Sequence, residues 1–253
     1  MTLHKNRAVV TGRLFFLLSL CLAGAFPAAA QRFFRVDAES KTLRSGVATV
    51  IDKEVYYTRG GDLNILWKKP GNIVFYSNTK PLGITTFYYP STRESVALEP
   101  AMFKASDELL YQFAEGAAED MGLTREGFVL KSTKKDGDYT VRRYEPRQGG
   151  TMCAWVEVAY DQSFLPVYCA YYDKKGKIIT KTYLSHYTSV KGFSFPMRVT
   201  EISYMAEKND STVRLDIYKN LEIDVQREIH NFRIPRGAKP VDLKEGLMGI
   251  LGK

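Results

Sequence analysis

The residues that most often carry covalent or metal chemistry are scarce in this chain. Only three His and three Cys occur among its 253 residues. A structural zinc site takes four ligands, so we expect no metal site and no cofactor. The sequence has no G-x-S-x-G elbow, no P-loop and no H-E-x-x-H motif. His186 lies in a β-rich run and His230 in a connection. We therefore expect that the protein is not an enzyme.

Paired carboxylates are the one catalytic arrangement that leaves no local signature, because the two acids of a glycosidase meet only in the folded protein. The pairs that could converge are Glu157 with Asp161 and Glu201 with Asp216. Surface acids are the commoner explanation of such residues. A secreted hydrolase is therefore kept as a minor alternative.

Cys153 and Cys169 form a possible disulfide across a hairpin. A four-residue loop over 161–164 pairs Tyr160 with Leu165 and places the two thiols on opposite faces. A bridge needs a tighter or bulged turn, so the pairing stays open. If it forms, closing this loop would contribute about 3 kcal/mol.

The first thirty residues have the pattern of a secretory signal peptide. Three basic residues precede a short apolar run over 14–23, and Ala28-Ala29-Ala30 provides a cleavage site before Gln31. We expect an exported, periplasmic protein with residues 1–30 removed and residues 31–253 forming one domain.

The charge pattern argues against a nucleic-acid partner. The chain carries 36 basic and 28 acidic residues, a formal charge of +8. The basic residues are scattered among acids rather than clustered on one stretch, as a nucleic-acid surface would require. With 45% hydrophobic residues, the composition is that of a globular protein.

Most of the remaining chain alternates between apolar and polar residues, which is typical of half-buried strands. The alternation is clearest at Val213, Leu215 and Ile217. Short turn motifs such as Lys191-Gly192 separate the runs, so we predict an antiparallel meander. One segment differs: residues 106–121 have apolar residues at helical spacing, from an N-cap at Ser106 to a stop at Gly122.

An ordered set of short motifs adds a family resemblance. In chain order they are Ser45-Gly46-Val47, Leu66-Trp67-Lys68-Lys69-Pro70-Gly71, Phe87-Tyr88-Tyr89-Pro90, Tyr172-Asp173-Lys174-Lys175-Gly176, Phe195-Pro196 and Phe232-Arg233-Ile234-Pro235-Arg236-Gly237. Over most of residues 43–243 this order resembles the periplasmic lipoprotein carrier LolA and the related lipoprotein-sorting (LolA/LolB-like) proteins. The chain departs from them in having no helix before its first strand and no matching polar latch for the lid.

The resemblance implies a mainly β fold with a few helices. A single curved antiparallel sheet would form an unclosed half-barrel under a helical lid, and the cavity would hold acyl chains. The expected cavity lining is Trp67, Phe75, Phe87, Trp155, Val213, Leu215 and Ile217. The expected lid residues are Leu109, Leu110 and Phe113.

The function that follows is a periplasmic carrier that shields the acyl chains of lipoproteins or lipids on the way to the outer membrane. Its partners would be the acylated lipoprotein or lipid, an inner-membrane donor complex and an outer-membrane acceptor, and we expect a monomer. A lipid- or lipoprotein-sensing module of the same fold is the alternative. A wholly apolar cavity would favour either of these, whereas two converging carboxylates would favour the hydrolase.

Overall fold

The computed structural model describes residues 32–68, 74–78, 85–98, 105–148, 153–204 and 210–242. The signal peptide expected at residues 1–30 lies outside this part of the chain. Within the described ranges, no helix has both the length and the apolar character needed to cross a membrane.

The described strands form one sheet. They are β1 (Phe33–Arg44), β2 (Val47–Thr58), β3 (Leu63–Trp67), β4 (Val74–Asn78), β5 (Thr85–Tyr89), β6 (Glu94–Leu98), β7 (Phe128–Asp136), β8 (Tyr139–Pro146), β9 (Trp155–Tyr160), β10 (Pro166–Tyr172), β11 (Ile178–Val190), β12 (Phe193–Tyr204), β13 (Ser211–Ile223) and β14 (Lys239–Pro240). Their order is β14-β6-β5-β4-β3-β2-β1-β13-β12-β11-β10-β9-β8-β7.

Two meanders meet at the centre of this sheet. Strand β1 pairs antiparallel with β2 on one side and with β13 on the other. Among the described strands, only the short β14 pairs parallel, with β6. Because β7 and β14 stand at opposite edges of the sheet, it is not closed. The predicted unclosed antiparallel sheet is confirmed.

The tight turns follow from local chemistry. Lys191 and Gly192, between β11 and β12, both have positive φ, at 51° and 79°. Two consecutive positive φ values characterise a type I′ turn, whose twist matches that of the flanking strands. The Lys-Gly pair therefore fixes the long β11–β12 hairpin where the sequence predicts it.

The two faces of the sheet differ in burial. On β1, Phe34, Val36, Ala38 and Ser40 are buried in strict alternation. The side of the sheet that carries them is called the inner face here, and the opposite side the outer face. The one described α-helix, α1 (Leu109–Ala114), packs on the inner face against β1, β2 and β12.

Helix α1 is shorter than the predicted segment 106–121. Glu108 is extended, with φ −94° and ψ 121°, and single-turn 3-10 helices flank α1 at Ala105–Asp107 and Ala117–Glu119. Gly116 has φ +77°, a left-handed conformation that ends the helix two residues after Ala114. Sequence periodicity detects the apolar stripe but not this interruption.

Buried side chains form two clusters. The larger joins β1–β6, α1 and β11–β13, and the smaller lies under β8–β10 around Tyr144, Val158 and Tyr160. Met121 packs against both clusters, in the segment that follows the helix. Met121 therefore connects two otherwise separate clusters, one under each part of the sheet.

The possible disulfide does not form. Both cysteines are free thiols. Tyr160 pairs with Pro166, not Leu165, and a register irregularity between Pro166 and Tyr168 leaves Cys169 opposite Val158. Cys153 precedes the first residue of β9, where its thiol donates to the Trp155 carbonyl oxygen at 3.3 Å. The register therefore places a valine, not a cysteine, across from Cys169.

Candidate functional site: a cavity beneath the helical segment

A cavity of about 460 Å³ lies between the helical segment and the inner face of the sheet. Strands β1, β2 and β10–β13 contribute its walls, and residues 106–109 and Gln112 contribute its cover. A volume of this size falls within the range of small-molecule sites. The arrangement suits one compact ligand or a single chain.

Part of the lining is apolar. Leu109, Met121 and Val199 line the cavity, together with the rings of Tyr171 and Tyr218. Burial raises the pKa of both tyrosine hydroxyls well above the usual value of 10. Both phenols are therefore neutral at physiological pH and act as polar but uncharged groups.

Seven of the other lining residues are charged, which the sequence did not indicate. At the residue before α1, Glu108 Oε2 accepts a hydrogen bond from the Lys53 ammonium at 2.7 Å. The Glu108 side chain is only 4% exposed. A charged pair at this depth is stable only when partners replace the lost water. Lys53 lies on β2 two residues before the buried Val55, so both side chains are on the inner face.

A second charged group lies on β12 and β13. Arg214 donates to Asp216 Oδ2 at 3.1 Å and to Glu201 Oε2 at 3.3 Å. Burial alone would lower the pKa of Arg214, but the two carboxylates raise it above its usual value. The structure thus brings together one of the two carboxylate pairs considered for hydrolysis.

That pair does not have the arrangement of a hydrolytic site. A glycosidase needs one carboxyl group able to give up a proton to the substrate, and both carboxylates here accept hydrogen bonds from the same guanidinium. The other pair is not brought together. Glu157 accepts from the Tyr172 hydroxyl, whereas Asp161 accepts from backbone amides of its own turn.

The predicted lining residues of β13 face away from the cavity. Asp216 pairs with Ser40 and Val199, which fixes it on the inner face. Val213, Leu215 and Ile217 therefore lie on the outer face, half-buried. The sequence interpretation is therefore wrong on this point. The alternation along β13 is real, but its aliphatic residues lie on the outer face and not in the cavity.

Trp155 also lies on the outer face. Its ring stacks on Tyr172 at 5.0 Å with an interplanar angle of 10°, and the Arg143 guanidinium lies 4.4 Å from the ring centre. The neighbouring Val156 is fully buried on the other side of the strand. Trp155 thus belongs to a stacked surface cluster and does not reach the cavity.

The predicted lining residues of β3 and β5 meet each other but not the cavity. Trp67 and Phe87 lie 5.5 Å apart between ring centres, and Phe87 also contacts Tyr76 at 5.2 Å. Both are half-buried against the larger cluster. Phe75 pairs through its backbone with Leu66 and Tyr88, and its side chain lies outside the described part of the structure.

The predicted lid residues have two different positions. Leu109 is half-buried and lines the cavity. Leu110 and Phe113 are 0% and 5% exposed, and the Phe113 ring packs 5.5 Å from Phe195. One lid residue therefore faces the cavity, while the other two pack in the core.

The unclosed antiparallel sheet and the helical segment on its inner face form a LolA-like fold. One similar solved structure is a LolA superfamily protein from Nitrosomonas europaea, with TM-score 0.56, 12% identity, and coverage of 82% of this chain and 92% of that one. A DUF1329 family protein from Desulfovibrio piger has TM-score 0.55, 14% identity and coverage of 84% and 92%.

A third similar structure is an outer membrane lipoprotein-sorting protein domain from Vibrio parahaemolyticus, with TM-score 0.54 and 11% identity. It covers 85% of this chain and 95% of that one. No protein-family model matches the sequence, and no curated protein matches it. At these identities the similarity establishes the fold, and the function has to be argued from the site.

Proposed function

We propose that this chain is a periplasmic carrier that shelters an acyl chain of a lipid or lipoprotein in the cavity beneath the helical segment. The observation that carries the proposal is the cavity itself, which lies on the inner face of an unclosed sheet and is covered by α1 and the turn before it. The lipoprotein-sorting domain with the same fold supports it.

The energetics favour a single chain. Each buried CH₂ contributes about 0.8 kcal/mol, so about fourteen methylenes would favour burial by roughly 11 kcal/mol before ordering costs. Leu109, Met121 and Val199 provide an apolar surface for such a chain. The charged residues of the same lining would meet the polar end of an amphiphile rather than its tail. Cargo would pass from an inner-membrane donor to an outer-membrane acceptor.

The proposal is tested with a substitution that fills the cavity. Thr182 lines it from β11, whereas Thr200, one strand away, pairs with Tyr183 and Leu215 on the outer face. We expect Thr182→Trp to abolish binding of a fluorescent fatty alcohol, because the indole occupies the cavity, and Thr200→Trp to leave binding unchanged. Equal binding by both variants would remove the cavity from the function. Absence of lipid in native mass spectra of the wild type, together with no binding of the fatty alcohol, would refute the carrier.

Export is part of the same proposal. We expect the secreted protein to begin at or within a few residues of Gln31, because Ala28-Ala29-Ala30 provides the cleavage site. N-terminal sequencing of periplasmic material tests this. A mature protein that keeps residues 1–30 would contradict it.

A further inference from the structure

Glu108 has one carboxylate oxygen that the described residues leave without a partner. Its Oε2 atom accepts from Lys53 at 2.7 Å, while Oε1 is buried and has no hydrogen-bond partner within the described ranges. The residue precedes α1, yet its side chain makes no capping hydrogen bond. A buried acceptor of this kind is costly unless a donor reaches it.

Glu108 belongs to the cavity wall as well as to the buried pair with Lys53. Glu108 and the next residue, Leu109, both line the cavity. The acceptor and the apolar wall are therefore adjacent, so one elongated molecule could contact both. A ligand that donates a hydrogen bond at one end and carries an apolar tail would match this arrangement.

The charge of the cavity lining indicates which charge the ligand's donor group carries. Its formally charged residues are five carboxylates and two cations, an excess of three negative charges: Asp107, Glu108, Glu126, Glu201 and Asp216 against Lys53 and Arg214. The whole chain has the opposite balance, with a formal charge of +8. The cavity is thus acidic within a basic protein, and such a field favours cations.

A metal ion does not account for this acidity. The described residues contain no group of three His, Cys, Asp or Glu side chains placed to hold one. Arg214 already occupies the space between Glu201 and Asp216. A protonated amine needs only one charge-assisted acceptor and tolerates an apolar neighbour.

We propose that the cavity selects amphiphiles that carry a protonated amine, with the ammonium group donating to Glu108 Oε1 and the tail lying along Leu109, Met121 and Val199. This inference rests on the proposed function and specifies the class of cargo head group. An aminolipid head group and a free long-chain amine share this chemistry.

The experiment compares ligands with the same tail. Dodecylamine, dodecanol and dodecanoate are titrated by calorimetry into the wild type, Glu108→Gln and Glu119→Gln, the last being an exposed acid on the neighbouring turn. We expect the wild type to bind dodecylamine about tenfold more tightly than dodecanol, the range of a charge-assisted hydrogen bond. Glu108→Gln should lose this preference and still bind dodecanol, and Glu119→Gln should keep it.

A second variant should strengthen amine binding instead of weakening it. It keeps the inference testable if Glu108→Gln unfolds. Lys53→Met removes the cation that competes for Glu108, so amine affinity should rise. Equal binding of all three ligands by the wild type would overturn the inference and leave the carrier standing. Binding of none would refute the carrier as well. An amine preference unaffected by either variant would also overturn it.

The source of the amine is distinguished with short-chain lipids. Dihexanoylphosphatidylethanolamine has N–H donors, and the matching phosphatidylcholine has none. Preference for the ethanolamine lipid would support an aminolipid head group as the cargo chemistry. Preference for dodecylamine alone would support a free amine.

Discussion

Arg214 and Asp216 project from the same inner face of β13, with the Arg214 Nε atom 3.1 Å from Asp216 Oδ2. Asp216 is nearly buried, at 7% exposure of its side chain, whereas Arg214 is 44% exposed. Over residues 213–217 the strand thus turns its charged residues toward the cavity and its aliphatic residues outward. The cavity is polar in part because Arg214 and Asp216 lie on the inner face.

Loss of Arg214 should destabilise the fold through Asp216. Arg214→Met leaves a nearly buried carboxylate without its cation, which we expect to cost about 1–3 kcal/mol. Urea unfolding of this variant measures the loss. Arg198→Met, at an exposed outer-face position on β12, is the matched control and should change stability by less than about 0.5 kcal/mol. Equal effects of the two variants would show that Arg214 has no special role.

Two adjacent leucines should separate stability from binding. Leu110 is fully buried, so Leu110→Ala should lower the free energy of unfolding by about 2–5 kcal/mol. Leu109 lines the cavity and is only half-buried. Leu109→Ala should therefore cost clearly less stability and weaken binding of the fatty alcohol. Circular dichroism melts and ligand displacement measure the two effects, and a reversed ranking of the melts would contradict the placement of α1.

Much of the sheet could be predicted from the sequence, because alternation and turn chemistry are local. Lys191-Gly192 marks a turn that the structure contains. The face on which an alternating strand buries its residues is not local. Val213 and Leu215 indicate an apolar face, but pairing of β13 with β1 and β12 places Asp216 inward instead. Only the neighbouring strands determine this.

The charged half of the cavity was missed for the same reason. Lys53 and Glu108 are 55 positions apart in sequence, and nothing in either segment indicates the other. A weak signal exists on β13, where Arg214 and Asp216 are separated by one residue and therefore share a face of the strand. Two opposite charges with this spacing, each flanked by aliphatic residues, could have suggested a polar inner surface.

The buried cysteine should be unreactive. Burial raises the pKa of the Cys169 thiol to about 12, and the nearby Cys153 adds to the rise. The thiolate is the reactive form, so iodoacetamide at pH 8 should leave Cys169 unmodified in the folded protein and label it fully in guanidinium chloride. Peptide mass spectrometry locates the label. Rapid labelling of folded Cys169 would contradict this burial, and a Cys153–Cys169 peptide would contradict the free thiols.

His230 makes stability depend on pH. Burial lowers its pKa below the usual 6.5. Its Nδ1 atom accepts from the Arg227 amide at 3.0 Å, and its Nε2 atom lies 3.2 Å from the Phe34 carbonyl oxygen, to which it can donate. This pattern fits the neutral ring, because a proton on Nδ1 would face the amide hydrogen. Glu222 and Arg227 are the charged groups that act on it.

The direction of the pH effect follows from these contacts. Above about pH 6.5 the ring is neutral in both folded and unfolded chains, and its contribution to stability is complete. As the pH falls below that value, the unfolded chain takes up a proton that the folded chain resists, so stability decreases. Urea unfolding at pH 7.5 and 5.5 should show a larger loss on acidification for the wild type than for His230→Gln. His186→Gln, at an exposed position, should behave as the wild type. The same acid loss in all three proteins would mean that His230 is not the group responsible.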